Sequence, residues 1–289
     1  MRFGFLKENK EYHNHTLFGV IASGKLSAPV FGSAWTAKTA NSDQRASKPA
    51  GAGTVSAGFL FCGYGAPALA TSEEYNGSTW SAGGTASNAL FYVAGWGTQT
   101  SAVRAGGNGT SSTSEEYNGT SWASGGTLST GRDQAGGAGA SITSGVIFGG
   151  YGGGRLSSSE EYNGTSWSAG GSLSIARHAL GGGGIIDDAL ATGGHDGAAM
   201  DESDSYNGTS WTNEGTMNTA TFSSASAGGG STGIRFGSNA SGTASETYEG
   251  TTWTSTSTLN TGNGGQGRLG DALSALTMAG TNKVVEQWA

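Results

Sequence analysis

Six acidic residues recur at one position of a repeated sequence, each two residues before an aromatic residue that is predicted to end a strand. They are Glu73, Glu115, Glu160, Asp204, Glu246 and Glu286. Residues two apart on a strand share a face, so each carboxylate is expected to be partly enclosed and to need a partner. The candidate partners are backbone N–H groups and the arginines Arg45, Arg132 and Arg177. Acid–base chemistry needs two carboxylates in unlike environments, whereas a sixfold copy suits contacts between neighbouring units, so we favour a structural role over a catalytic or metal-binding one. The adjacent Glu74, Glu116 and Glu161 are predicted to face solvent.

A second recurring position follows a pair of small residues, mostly Gly-Gly, and its residue type varies where its surroundings do not. The six residues are Tyr64, Asn108, Tyr151, His195, Asn239 and Thr281. On one rim they would form a ring of aromatic and amide groups, which suits stacking on sugars or packing on a protein. The alternative is plain turn chemistry, because Asn and His tolerate the left-handed backbone region. The sequence leaves both interpretations open.

Trp96 is a large residue where the other copies carry small ones, since it aligns with Ala138 and Gly183. Its indole either fills a central channel as a plug or is exposed at one face as part of the candidate binding rim. Filled interiors are the rule in proteins, so we favour the plug.

Other chemistry finds little support. Cys62 is the single cysteine, so no intrachain disulfide can form, and it is interpreted as a small packed residue. His13 and His15 are too sparse a cluster for a metal site, and no nucleophile elbow, phosphate loop or zinc signature occurs. Turn geometry already explains the Asn-Gly-Ser/Thr triplets, so glycosylation is not expected. We therefore predict no cofactor, no metal and no enzymatic activity.

The elements that position these residues follow from a tryptophan period. Six tryptophans recur every 42 to 45 residues: Trp35, Trp80, Trp122, Trp167, Trp211 and Trp253. Five of them close hexapeptides such as YNGTSW, in which a turn separates two aromatic strand ends, and Asn-Gly predicts a hairpin with both residues at positive φ. Repeats of this length, rich in strand and turn signals, predict the blades of a propeller. Nearly side-chain-free segments at 135–140 and 179–184 suit a crowded strand beside its axis.

The diglycine, the later tyrosine and the tryptophan after a tight turn resemble the kelch repeat over residues 30–289. That resemblance implies an all-β, six-bladed kelch-type β-propeller. It implies little about function, because one fold serves unrelated tasks. Copper oxidases share this fold, but their copper site, a crosslinked Cys and Tyr with two His, resembles nothing in this chain.

The last copy stops at Trp288, before any outer-strand tryptophan, while residues 30–35 align with the hexapeptide of the other copies. We therefore predict that the N-terminal strand around Trp35 closes the last blade, which removes exposed sheet edges. Two regions result, an N-terminal arm at residues 1–28 that packs on the propeller or on a partner, and a propeller at residues 29–289.

The formal charge of −7 and the pI near 5.0 argue against a nucleic-acid partner, which would need a concentrated basic stripe. The opening residues carry charge where a secretory signal would be apolar, and no apolar run approaches a membrane span. The sequence thus predicts no signal peptide and no membrane insertion.

Near-identical, Gly/Ser/Thr-rich repeats of this kind resemble kelch-like virion proteins of aquatic bacteriophages. The resemblance implies a multicopy, non-enzymatic virion structural protein. Its arm would bind other virion proteins, and its propeller would recognise a host-surface glycan or protein at the tail. The alternatives are a capsid decoration or tail subunit without a ligand, a bacterial kelch-type interaction scaffold, and a carbohydrate-active enzyme.

Overall fold

The structure, a computed structural model, describes residues 34–42, 45, 49–238, 242–260, 267–270, 274–278 and 285–288. Within these residues 24 strands form six antiparallel four-stranded sheets, and there is no α-helix. No helix of the described part is therefore long and apolar enough to cross a membrane. The prediction of an all-β propeller is confirmed, while the arm predicted at residues 1–28 lies outside the described residues.

Each sheet is built from strands that are consecutive in the chain, apart from the first strand, β1 (Trp35–Lys38). Sheet I contains β2 (Ala50–Gly53), β3 (Gly58–Phe61), β4 (Thr71–Tyr75) and β5 (Trp80–Thr85). Sheet II contains β6 (Ala94–Thr98), β7 (Ser101–Ala105), β8 (Ser114–Tyr117) and β9 (Trp122–Ser124). Sheet III contains β10 (Gly136–Ser141), β11 (Ser144–Phe148), β12 (Ser158–Tyr162) and β13 (Trp167–Ser172).

The remaining three sheets repeat this order. Sheet IV contains β14 (Gly181–Ile185), β15 (Asp188–Thr192), β16 (Met200–Tyr206) and β17 (Trp211–Thr221). Sheet V contains β18 (Ala225–Gly228), β19 (Gly233–Ser238), β20 (Gly242–Tyr248) and β21 (Trp253–Ser255). Sheet VI contains β22 (Gly267–Gly270), β23 (Ala275–Met278), β24 (Val285–Trp288) and, as its outer strand, β1.

The predicted closure of the last sheet by the N-terminal strand is confirmed. Strand β1 pairs antiparallel with β24, and Trp35 lies opposite Trp288. Both indoles are buried, with ring centroids 5.6 Å apart, and Trp35 also meets Phe236 of sheet V edge-on at 5.0 Å. Segments about 250 residues apart in sequence therefore share one sheet, so loss of either end would expose a sheet edge.

The first strand of each sheet lies nearest the centre. Each of β2, β6, β10, β14, β18 and β22 contacts the first strand of both neighbouring sheets, and the series returns from β22 to β2. Glycine is required at some positions of these strands, because a Cβ at Gly182 would come within 2.7 Å of the Gly137 backbone nitrogen in the adjacent sheet. The glycine-rich segments predicted beside an axis occupy this position in β10 and β14.

The aromatic hairpins form as predicted, but their turns differ in detail. Each strand-ending tyrosine lies opposite the tryptophan that opens the next strand, as in Tyr162↔Trp167. Four residues separate the pair, and of Asn163 and Gly164 only the glycine has positive φ, at 90°. The prediction of positive φ at both was wrong. The Asn163 Oδ1 atom instead accepts hydrogen bonds from the Thr165 and Ser166 N–H groups, at 3.0 and 2.9 Å, which makes a left-handed asparagine unnecessary.

Candidate functional site

The candidate rim residues are positioned by the small pairs that end the second strand of each sheet. The N–H of the second glycine donates to a carbonyl of the segment entering the next sheet, as Gly107 does to Arg132 at 2.9 Å and Gly150 to Arg177 at 2.9 Å. A Cβ at Gly106 would collide with the Arg132 carbonyl oxygen. Two glycines therefore let adjacent sheets approach closely, and the chain then turns towards one end of the sheets.

The left-handed backbone on which the turn-chemistry interpretation rested is absent from the rim residues that the structure describes. None of Tyr64, Asn108, Tyr151 and His195 has positive φ, because the preceding glycines adopt that conformation instead, for example Gly194 at 117°. Backbone geometry therefore does not require the Tyr64 and Tyr151 side chains, whereas those of Asn108 and His195 accept backbone N–H groups. Asn239 and Thr281 lie outside the described residues.

Each described rim residue except Tyr64 pairs with the segment that enters its own sheet. Tyr151 exchanges backbone hydrogen bonds with Asp133 at 2.8 and 3.0 Å, and His195 exchanges them with His178 at 2.8 and 3.3 Å. Asn108 binds Phe91 twice, through its N–H and through its Oδ1 atom at 3.0 Å. The Asn108 carboxamide oxygen is thus already used by the fold. Tyr64 pairs instead with Ala68 across its own loop.

Three further aromatic residues, not predicted from the sequence as part of the rim, belong to this surface. Phe91, His178 and Phe222, each eleven residues after a repeat tryptophan, project to the same end as the rim residues. In the tyrosine–histidine row, ring centroids are 5.9 Å apart for Tyr151 and His178, 5.3 Å for His178 and His195, and 5.5 Å for His195 and Phe222. A shorter row joins Tyr64, Phe91 and Tyr92 at 5.4 and 4.8 Å. The eleven-residue offset was the signal available in the sequence.

Exposure and charge differ along these rows. Tyr64 and Tyr151 are 41% and 40% exposed, while the rings of His178, His195 and Phe222 are half-buried. The His195 Nδ1 atom accepts the Gly197 N–H at 3.3 Å, which leaves Nε2 to carry the proton of the neutral ring. Arg155, exposed and paired with Tyr151 across a β-bridge, adds a cation beside the tyrosine–histidine row.

The same end of the sheets carries the narrow mouth of a central channel. A cavity of about 80 Å³ lies between the entering segments, lined among others by Tyr92, Gln134 and Ser223. A chain of backbone hydrogen bonds runs round this mouth from sheet V to sheet II, from Ser223 N–H to Ala179, from Ala179 to Gln134 and from Gln134 to Tyr92, at 2.7, 2.8 and 3.1 Å. The four residues that make these three bonds all have φ between 53° and 61°. At this mouth, residues in the left-handed conformation therefore make the hydrogen bonds that link neighbouring sheets.

Trp96 does not join the rim. It lies on the innermost strand β6, is 2% exposed, and lines a cavity of about 330 Å³ at the opposite end of the channel. Its Nε1 donates to the Ser141 carbonyl at 3.1 Å, and its ring occupies the space above Gly139 and Gly145 of sheet III. The indole therefore packs between two sheets, beside Trp167 at 5.9 Å, instead of facing a ligand on the rim.

The recurring acids are all buried, and the three predicted arginine partners are present. Arg132 and Arg177 lie 2.8 and 2.6 Å from Glu160 and Asp204, and Arg45 lies 3.4 Å from Glu73. Glu115 and Glu246 pair instead with Arg104 and Arg235, two arginines that the sequence had not marked. Burial lowers the pKa of Arg132, and its ion pair with Glu160 opposes that shift.

Among the described residues, all of these acids except Asp204 also accept a backbone N–H group from the chain that leads into their own sheet, which for Glu246 is the second half of β17. Glu160 accepts the Ser129 N–H at 2.7 Å, and Glu246 and Glu286 accept those of Asn218 and Asn260 at 2.7 and 2.8 Å. Each carboxylate therefore holds a connection between two sheets.

The neighbouring acids predicted to face solvent are half-buried, so that prediction was wrong. Glu74 and Glu116 accept hydrogen bonds from the Tyr117 and Tyr162 hydroxyls of the next sheet, at 2.7 and 2.5 Å, and Glu161 accepts one from Tyr206. Burial, then the hydrogen bond to the carboxylate, raises the pKa of Tyr117, Tyr162 and Tyr206 to about 12. The prediction failed because a tyrosine hydroxyl of the next sheet reaches the outward face of the strand.

The repeat tryptophans add a further link between sheets. The Nε1 of Trp167 donates to Ser114 at 3.3 Å, that of Trp211 to Ser159 at 3.3 Å, and that of Trp253 to Ser203 at 3.0 Å, always in the preceding sheet. Trp35 reaches Ser245 at 3.3 Å in the same way, and Trp80 reaches the Thr39 carbonyl at 3.0 Å. Trp122 packs against Phe59 and Phe61 of sheet I.

No group of three or more His, Cys, Asp or Glu side chains that could hold a metal ion occurs among the described residues. Cys62 is fully buried, and burial raises the pKa of its thiol, which disfavours the reactive thiolate. No protein-family model matches this chain, and no curated protein matches it either.

Proposed function

We propose that this chain is a non-enzymatic recognition module, which binds a host-surface glycan or protein through the end of the propeller that carries the two aromatic rows. The observation that carries the proposal is the pair of exposed tyrosines, Tyr64 and Tyr151, each at the head of a row of contacting rings. Exposed aromatic side chains on a rigid scaffold provide apolar contact area with little loss of conformational entropy. Backbone geometry does not require them at these positions.

The proposal includes a six-bladed kelch-type propeller. The six four-stranded sheets, the small pair that ends each second strand and the Tyr–Trp hairpin support it. We further propose that the protein is a structural component of a bacteriophage particle, present in several copies at the tail, where residues 1–28 attach it to other virion proteins. This part rests on the resemblance of its repeats to kelch-like virion proteins.

Binding to host cells, a glycan array and host-surface proteins tests the recognition proposal. The Tyr64→Ala/Tyr151→Ala double variant is expected to lose most of the binding. Ile185→Ala is the matched control, because Ile185 is 47% exposed at the opposite end of sheet IV and the change also removes an exposed apolar side chain. Equal binding by the double variant and the control would contradict the proposal.

Attachment to a virion is tested separately by mass spectrometry of purified virus particles produced with the full chain and with a chain that begins at residue 29. We expect the full chain in the particles in several copies and the shortened chain outside them. Particles that lack the full chain would contradict the virion assignment and would favour a bacterial interaction scaffold.

A further inference from the structure

The tyrosine–histidine row differs from the shorter row in the polar groups beside it. The shorter row consists of the Tyr64, Phe91 and Tyr92 rings, whereas the row from Tyr151 to Phe222 contains two imidazoles and adjoins Arg155. An aromatic platform alone accepts any sugar ring with an apolar face, so the imidazoles and Arg155 are the groups that can make the second row selective.

Arg155 lies next to two members of this row. It forms a β-bridge with Tyr151, so the two side chains are neighbours across a five-residue loop. Its guanidinium also reaches the loop that follows His195, because a Cβ at Gly197 would lie 3.7 Å from its Nη2 atom. Arg155 is exposed, and no ion pair engages it within the part of the chain that the structure describes. Its five N–H donors therefore remain available beside the rings.

Two hydrogen-bond donors thus lie along one aromatic row. Arginine binds carboxylates through two parallel N–H···O bonds, a geometry that a neutral hydroxyl cannot match. The Nε2–H of His195 adds a single directed donor, since its Nδ1 is occupied by the Gly197 N–H. Nearby carboxylates oppose an anion: Asp133 and Asp196 each accept one hydrogen bond locally, from the Gln134 side chain at 3.2 Å and the Ala198 N–H at 3.3 Å. Asp133 is half-buried and Asp196 is exposed, so an anion bound here must pair directly with Arg155 to offset their repulsion.

Resting on the proposed function, we infer that the tyrosine–histidine row is a subsite for an acidic saccharide, whose ring stacks on Tyr151 and whose carboxylate pairs with Arg155. His195 donates to a ring hydroxyl or to the same carboxylate.

Matched ligands test the inference directly. The probes are oligogalacturonate and sialyllactose, together with the methyl ester of each, and binding to the full chain is measured by calorimetry. The acid of at least one pair is expected to bind about tenfold or more tightly than its ester, because the ester keeps the ring and loses the charge. Arg155→Gln is expected to remove this preference and to leave the binding of the ester unchanged. Tyr151→Ala is expected to weaken acid and ester alike.

Lys38→Gln is the charge-matched control, because Lys38 is exposed on the outer strand β1, away from the row. It is expected to keep the full preference for the acid. Equal binding of acid and ester, or a preference that survives Arg155→Gln, overturns the inference and leaves the proposed function standing. Rim-dependent binding of a host protein with no saccharide bound also overturns the inference alone. Absence of any rim-dependent binding overturns both.

Discussion

Arg104 and Glu115 lie directly opposite each other on β7 and β8 and form a buried ion pair. In sheets I, III and IV the arginine lies instead on the segment entering the sheet, as Arg45, Arg132 and Arg177, and the strand position opposite the acid is Leu60, Ile147 or Ala191. Sheets II and V reverse this choice, with Leu90 and Thr221 on the segment and Arg104 and Arg235 on the strand. Each of these five sheets therefore places one guanidinium against its acid from one of two positions.

Because the arginine can occupy either position, a second substitution is predicted to restore the stability that loss of Arg104 removes. Arg104→Ile alone leaves Glu115 buried without its cation and should destabilise the fold by about 3–5 kcal/mol. Adding Leu90→Arg restores the arrangement of sheet III and should recover more than half of that loss in urea unfolding. A double variant less stable than Arg104→Ile would show that the two positions are not equivalent.

A second prediction concerns the one aspartate among the six acids. Arg177 and Asp204 are buried, and no hydrogen bond to Asp204 from the Ser174 N–H is present within the described residues, whereas Glu160 accepts the equivalent Ser129 N–H. Asp204→Glu adds the methylene that lets the carboxylate reach this N–H. The unfolding free energy should rise by ~1 kcal/mol. The reverse change, Glu160→Asp, should lower it by a similar amount, and stabilisation by both changes would exclude this explanation.

A third prediction concerns alkaline pH. The pKa of Tyr117, Tyr162 and Tyr206 is raised from 10.0 to about 12, so the fold favours their neutral form. Their contribution to stability is present below pH 10 and is lost as the pH rises through about 12. Tyrosinate absorbance and circular dichroism should therefore change together in this window. Glu116→Gln should lower the pKa of Tyr162 without returning it to 10, because burial is the larger cause. An unaltered titration curve would contradict the inter-sheet hydrogen bond.

A fourth prediction concerns the fit of Trp96 against sheet III. The three atoms nearest to a Cβ built at Gly145 all belong to the Trp96 indole and overlap it. Gly145→Ala should therefore destabilise the protein by about 1–3 kcal/mol, and Trp96→Ala should cost about 3–5 kcal/mol through the cavity it leaves. In the Trp96→Ala background, Gly145→Ala should be neutral or stabilising. Additive free energies in this double-mutant cycle would mean that the two residues do not compete for space.

Much of the fold was predictable because its signals are local and repeat. The Trp80 period, the aromatic pair in each hairpin and the match of residues 30–35 to the hexapeptide predicted the sheets and the closing strand. The conformation of Asn163 was not predictable from the Asn-Gly pair, because its side chain replaces a backbone turn with its own hydrogen bonds. The candidate rim was located only in part, since Asn108 serves the fold and His178 and Phe222 went unmarked.

The sequence by itself determined the strand order, the hairpin partners and the glycines that permit close approach near the axis, since their signals are either local or repeated from copy to copy. The tertiary structure alone decided which side chains meet across sheets: Tyr162 with Glu116, Trp96 with Gly145, and His195 with Phe222. These partners lie 27 to 49 residues apart in the chain. Their contact depends on the radial position and tilt of two separate sheets, and packing of whole sheets fixes those quantities, whereas local sequence preference does not.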